Sequence, residues 1–514
     1  MRSMIVLIAV FSTTVAPMYG QVYRWDNGEV IGGTEQLSVI PGANLSRLPL
    51  AYADFRNADL SGARFSESIL VRANFQDADA ADTSFQAANM LGANWENSRI
   101  TGAMLAGTAG FTAENLYSTA SYRERMLGEI NLSGANLQSW DFSGQDLTGA
   151  TFDSAKLSGA VFEDAVITGA SFVMTSHQGF VPDQIYSTQS YRDHDLRSIV
   201  LHSNNLVGID LSYQNLSYAR LNEVSLRDSD FSGARLFAAD LQASGMADST
   251  LRGANLTGAL LANTSFVRAN LDHAVLASVF INGSLARASL RGANLMTADL
   301  SQANLTLAEF DGETVYNDDT LFPAEFDPVA AGLTHHDSIR GDYNGNLTID
   351  AEDIDVLRLK VPRTGFRDSD PAGAFDLNED GRLDIGDRQM WVTDIAQTWY
   401  GDTNLDRVFD SGDLIEALSS GLYEQSPRVT RAGWASGDWN GDGRFDSEDF
   451  VVAIADGGYD AGNRGAALDR AVPEPLTVWP LILGCALLGH EHRRRSGWSN
   501  RPSAIMRGFV SITR

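Results

Sequence analysis

Four stretches of the chain place oxygen-bearing side chains at the same intervals: DYNGNLTIDAED from Asp342, DLNEDGRLDIGD from Asp376, DTNLDRVFDSGD from Asp402 and DWNGDGRFDSED from Asp438. In each, Asp or Asn stands at positions 1, 3, 5, 9 and 12 of a twelve-residue loop, and the carbonyl of position 7 is available besides. That is the spacing by which a loop wraps a Ca2+ ion in about six to eight oxygens. The ligand sets it predicts are Asp342, Asn344, Asn346, Asp350, Asp353; Asp376, Asn378, Asp380, Asp384, Asp387; Asp402, Asn404, Asp406, Asp410, Asp413; and Asp438, Asn440, Asp442, Asp446, Asp449. Calcium is therefore the expected cofactor. An acidic solvated linker would not repeat one spacing four times. Residues 341–470 hold 27 acidic and 12 basic residues, so the loops would repel one another without counter-ions.

Each loop leads into one apolar-faced segment: DIDVLRL, DRQMWVTDIA, DLIEALSSGL or DFVVAIADGG. A loop with an exiting helix, and with Asp rather than Glu at position 12, resembles the dockerin type I module. Two EF-hand-like pairs are expected here, over residues 341–396 and 397–456. The resemblance implies calcium-dependent folding and a cohesin-like protein as partner. Position 6 is Gly381 or Gly443 in two loops but Leu347 or Arg407 in the others. The loops starting at Asp376 and Asp438 are thus expected to bind more tightly, because glycine turns freely there. Positions 10 and 11, which help such modules choose a cohesin, read Ala-Glu, Ile-Gly, Ser-Gly and Ser-Glu, none being the Ser-Thr pair of cellulosomal modules.

Upstream a different rule holds. Between Ala247 and Glu309 a large apolar residue recurs every fifth place (Leu251, Leu256, Leu261, Phe266, Leu271, Leu276), usually with a small residue two places before it. Helices want apolar spacings of three and four and half-buried strands want alternation. A five-residue period instead calls for a coil that turns a corner once per repeat and stacks on itself. The tuples AADLQ, GANLT, RANLD, GANLM and QANLT resemble the pentapeptide-repeat family, with its A(D/N)LXX consensus. That resemblance implies a mainly β fold, a right-handed quadrilateral parallel β-helix with four repeats per turn, here followed by small α-helical calcium modules.

The inward residues are expected at Leu45 to Leu105, at Leu132 to Phe172, and from Leu201 to Leu276, after which a four-residue step leads to Phe280 and on to Phe310. Some 45 repeats make roughly 11 coils and on the order of 50 Å of rod. Inserts near 111–130 and 178–200 share Tyr-Ser-Thr-x-Ser-Tyr-Arg, from Tyr117 and from Tyr186. They read as a short helix or loop packing its tyrosines over the solenoid flank, or else as ligand-binding lobes using Tyr122, Arg123, Tyr191 and Arg192. The solenoid is expected over residues 42–316, with an N-terminal cap at 21–41 and a cap and linker at 317–340.

The two ends read as addresses. Residues 1–20 carry Arg2, an apolar run too short to span a bilayer and small residues near Gly20, the pattern of a secretory signal peptide. After a linker at 457–471, the sequence VPEPLTVWPLILGCALLGHEHRRR at 472–495 resembles the PEP-CTERM sorting signal, which implies transient membrane insertion and a sorting protease as partner. A basic tail, 496–514, follows. Cys485, the only cysteine, lies in that apolar segment, so the chain has neither an intrachain disulfide nor a thiolate zinc site. A formal net charge of -28 excludes nucleic acid as an electrostatic partner. No catalytic constellation stands out. The expectation is a secreted, calcium-binding, non-enzymatic structural or adhesive protein, at the cell surface or in a polysaccharide matrix. The alternative is an accessory subunit of a polysaccharide-degrading assembly. Lowest stands what the resemblance to pentapeptide-repeat proteins also implies, mimicry of DNA against topoisomerases, which export would defeat.

Overall fold

A computed structural model describes residues 21–34, 39–361, 374–425 and 431–464. They fall into two compact units, one up to Glu124 and one from Arg125 onward. The expected signal peptide, sorting helix and basic tail lie outside the described residues.

The five-residue side is explained by a handful of bonds, seen around Phe55. Its N–H donates to the Asn74 carbonyl of the next coil at 2.8 Å, and its own carbonyl accepts from Ala58 N at 3.1 Å, closing a turn. Within that turn Asn57 has φ 57°, the left-handed conformation. The Asp54 carboxylate accepts the Arg56 N–H at 3.2 Å, which explains why Asp or Asn so often precedes the inward residue. Phe55 points inward with 1 % exposure, and Ala53 and Ala58 line the corners. Each side offers about one residue to its neighbours, so the sheet consists of single parallel bridges offset by twenty residues, as in Asn44, Arg64, Ser84 and Met104. Twenty residues are four sides of five.

In the first unit an antiparallel pair, Tyr23 with Val30, lies on the first coil through Arg24 and Ala53. Trp25 Nε1 donates to the Arg72 carbonyl at 2.7 Å, covering that raw edge. The repeats run from Leu45 to Leu105, with Phe55, Phe75 and Trp95 stacked at 5.2 and 4.3 Å, one coil apart. Helices α1 (Ala113–Ser118) and α2 (Ala120–Arg123) follow.

In the second unit the ladder resumes at Met126, so Leu127 rather than Leu132 is the first inward residue. It bridges from Ser171 to Val200 across α3 (Pro182–Tyr186) and α4 (Gln189–Arg192), and Leu196 is already inward. Both helix pairs use the shared motif identically. Thr119 and Thr188 cap the second helix by accepting from Tyr122 N and Tyr191 N, both at 3.1 Å. Ser121 and Ser190, both buried, accept from Ile100 N and Ile167 N at 2.9 Å, replacing a ladder carbonyl. The tyrosines pair, Tyr117 with Tyr122 and Tyr186 with Tyr191. The inserts are thus helical continuations of a coil.

One expectation is corrected here. After Leu276 the next inward residue is Ile281, with Phe280 half-buried, and the four-residue step falls between Ile281 and Leu285. The corner tightens at Gly283, where a Cβ would stand 1.9 Å from the Thr264 carbonyl oxygen. Gly283→Ala is expected to open that corner at a cost of about 1–3 kcal/mol, read as a lower melting temperature of the full chain. A melting curve matching the parent would contradict it. The last coil differs too. Leu305 and Phe310 are half-buried, and the ladder runs on to Leu321, beyond which Phe310, Phe322 and Phe326 cluster at 5.0–5.3 Å. Strands β1 (Val315–Tyr316) and β2 (Thr334–His335) pair in parallel beside it.

Among the described residues of this unit four further α-helices follow: α5 (Ala351–Lys360), α6 (Ile385–Met390, continued by a wider turn to Ile395), α7 (Ser411–Ser419) and α8 (Ser447–Ala455). Their core gathers Trp391, Trp434, Trp439, Phe409 and Phe445 and reaches Phe237 on the solenoid flank.

Candidate metal centre

All four Asp-rich loops fold by one set of hydrogen bonds. Position 9 (Asp350, Asp384, Asp410, Asp446) caps the helix that follows, and position 12 (Asp353, Asp387, Asp413, Asp449) accepts the position 9 N–H at 2.8–2.9 Å. The other oxygen of position 12 accepts from the start of the loop, as Tyr343 N, Leu377 N, Thr403 N and Asn440 N do at 2.8–2.9 Å. Position 1 (Asp342, Asp376, Asp402, Asp438) accepts the N–H of position 6 at 2.7–2.9 Å. Position 3 (Asn344, Asn378, Asn404, Asn440) accepts from position 5 (Asn346, Asp380, Asp406, Asp442), which in turn accepts from position 7. The side chains named from the sequence therefore all face one loop interior or its rim.

Position 6 is left-handed in every loop, with φ 65° at Leu347, 79° at Gly381, 74° at Arg407 and 81° at Gly443. Leu347 is 46 % exposed, so its side chain contributes little packing to offset that conformation. Leu347→Gly is expected to stabilise the metal-free region by about 1 kcal/mol, seen as a higher urea midpoint. A lower midpoint would count against it.

The donor set fits a hard cation. Burial pushes the carboxyls of Asp353 and Asp449 up to about 8 and those of Asp402 and Asp438 up to about 6; Asp342 and Asp413 are also raised, again chiefly by burial. Asp438 Oδ1 is buried without a hydrogen-bond partner. A divalent ion in the loop would favour the charged form of these carboxylates. Among the described residues no three His, Cys, Asp or Glu side chains gather at metal-holding distance; each loop mixes carboxylates with Asn amides and carbonyls.

Sequence reasoning missed the residues that join these loops to the repeats. Arg358 NH2 donates to the Tyr218 hydroxyl of the solenoid at 2.7 Å, and its Nε lies 3.5 Å from Asp438 Oδ2. Burial opposes the Arg358 charge, but Tyr218, Asp355 and Asp438 outweigh it and hold its pKa above the ordinary value. Asp355 accepts from Trp434 N at 2.9 Å. Glu352 pairs with Arg235 at 3.3 Å, and the Tyr343 and Gly345 carbonyls accept from Ser278 and Asn294. A signal existed: Arg358 stands four places after Ile354, on the face of its helix that the core buries.

Comparison with known families decides what the solenoid is. The model for pentapeptide repeats matches in eight copies, across 50–86, 127–176, 205–242 and 249–312. The chain is a pentapeptide-repeat protein. Three solved pentapeptide-repeat proteins are similar to it. Rfr23 from the cyanobacterium Cyanothece 51142 is 24% identical, with 26% of this chain covering 97% of that one at TM-score 0.17. Alr5209 from Nostoc Pcc 7120 is 30% identical, over 25% and 84% of the two chains, at TM-score 0.16. HetL from Nostoc sp. strain PCC 7120, involved in heterocyst differentiation regulation, is 23% identical, over 51% and 84%, at TM-score 0.14. These TM-scores are too low to bear on shape, and the pentapeptide-repeat fold rests on its own ladder. No curated protein matches the chain.

Proposed function

We propose that this pentapeptide-repeat protein is a secreted, calcium-binding, non-catalytic structural or adhesive component of a cell surface or extracellular matrix. The observation that carries the reading is the fourfold recurrence of one loop geometry, each loop burying its position 12 carboxylate among further oxygen side chains. Ca2+ would be held in each loop by positions 1, 3, 5, 9 and 12, the position 7 carbonyl completing the shell, and it supplies charge neutralisation and cross-linking rather than reaction chemistry. Export is proposed from residues 1–20 and sorting from residues 472–495, cut by a sorting protease after transient membrane insertion. The test is isothermal calorimetry of the mature chain with calcium, where saturable binding of up to four ions is expected. A flat titration would sink the reading.

A second reading, docking of dockerin-like pairs to a cohesin-like partner or a polysaccharide-degrading assembly, draws on the apolar residues Ile415 and Leu418, exposed on α7. Against it, Glu352, one of the partner-choosing positions, is paired with Arg235 of the solenoid. A calcium-dependent complex with a purified cohesin on a sizing column would favour this reading over the first.

A further inference from the structure

The four loops share their internal bonds, and a side chain from outside sets the last of them apart. Arg388, the residue after position 12 of the second loop, reaches across to the fourth. Its NH2 donates to the carbonyls of Asp438 and Trp439 at 3.1 and 3.3 Å. The guanidinium lies so close to Gly441 that a Cβ there would stand 2.9 Å from its Cζ. Arg358, steadied by Tyr218, adds its Nε 3.5 Å from Asp438 Oδ2. The two arginines are only 2 % and 7 % exposed, and Nε and NH1 of Arg388 have no hydrogen-bond partner. The second loop also meets an arginine, Arg340 at the Leu377 carbonyl, but that residue is exposed and water screens it.

We propose that Arg388 and Arg358 are built-in competitors of calcium at the fourth loop, holding its affinity below that of the second loop although both have glycine at position 6. The inference rests on the calcium reading above. A divalent ion entering the fourth loop must share Asp438 with one guanidinium and approach a second across a dry interior, where like charges repel far more than in water. An arginine does not escape this by losing its proton at ordinary pH. Among the described residues, the guanidinium that meets the second loop is the exposed Arg340. The fourth loop therefore fills at higher calcium, and because Arg358 is held by the solenoid, its filling is felt at the junction with the repeats.

The experiment is calcium titration of the mature chain by calorimetry, with position 5 variants marking the loops. Asp380→Ala removes the second site. Asp442→Ala removes the fourth, and its carboxylate accepts from Arg444 N rather than from either guanidinium. The phase lost with Asp442→Ala is expected to lie at least about tenfold weaker than the phase lost with Asp380→Ala. Arg388→Met should tighten the fourth-loop phase by about tenfold, Arg388→Lys should leave it near the parent value, and adding Asp442→Ala should abolish the gain. Equal or reversed affinities for the two marked phases overturn the proposal, and this comparison needs no arginine variant to fold. So does an Arg388→Met chain with its near-ultraviolet spectrum intact and the fourth-loop phase unmoved. A parent chain that binds no calcium overturns the calcium reading and this inference together, whereas binding with the wrong order overturns the inference alone.

Discussion

Chelating calcium is expected to loosen residues 341–464 while leaving the β signal of the repeats in place. Calcium at a thousandfold excess over its dissociation constant would add about 4 kcal/mol per loop that binds it, and the four proposed loops surround one small helical core. The repeats satisfy their backbone through the ladder and need no metal for it. Trp391, Trp434 and Trp439 are fully buried in that helical core, so their emission should shift to the red on chelation. A chelator that abolished the ladder's far-ultraviolet signal and spared those tryptophans would refute this. The same experiment has a pH arm. Without metal, Asp353 and Asp449 carry carboxyls raised by burial from 3.8 to about 8. The folded form then binds more protons than the unfolded form between those values. The contribution of these two groups to metal-free stability is full below pH about 4 and is lost as pH rises toward about 8. Calcium should cancel that decline, because it favours the charged carboxylates. A metal-free stability that rose across this range would contradict the assignment.

Phe152→Ala is expected to destabilise the second unit by about 3–5 kcal/mol. Phe152 has no exposed surface, stacks on Phe172 at 5.1 Å and meets Phe142 and Phe162 edge-on at 5.5 and 5.6 Å. Truncation would leave a void in a column where each ring rests on the coil before and after, and the stiff ladder cannot collapse to fill it. Glu163→Ala, on an exposed outward position nearby, serves as the control and should change stability by no more than about 0.5 kcal/mol. Chemical denaturation followed by circular dichroism separates the two. Equal midpoints would mean that the inward column does not hold the fold.

The five-residue period was legible because it repeats, so each inward position is confirmed by those one coil away. Where only one coil carries the information, legibility stopped. The step after Leu276 can be written as Phe280 or Ile281 in sequence, since both are large and apolar. Only the ladder partner Leu260 for Phe280, and the room for an unbranched corner at Gly283, select Ile281. The inserts show the same limit. Their shared motif pointed to duplication, while the use of Ser121 and Ser190 as stand-ins for ladder carbonyls required seeing Ile100 and Ile167 beside them.

By itself the sequence determined the inward column, the corner chemistry and the oxygen positions of the four loops, because all three depend on bonds within about one repeat or one loop. Asp at position 9 caps its own helix and Asp at position 12 ties its own loop whatever lies around them. Only the tertiary structure decided that Arg388, just after the second loop, would lie on the backbone of the fourth, and that Arg358 would meet both Asp438 and Tyr218, the latter 140 residues before it in the chain. Long-range pairings of buried charge leave no local period to read; they follow from which surfaces the packed core brings together, and from the need of each desolvated charge to find a partner there.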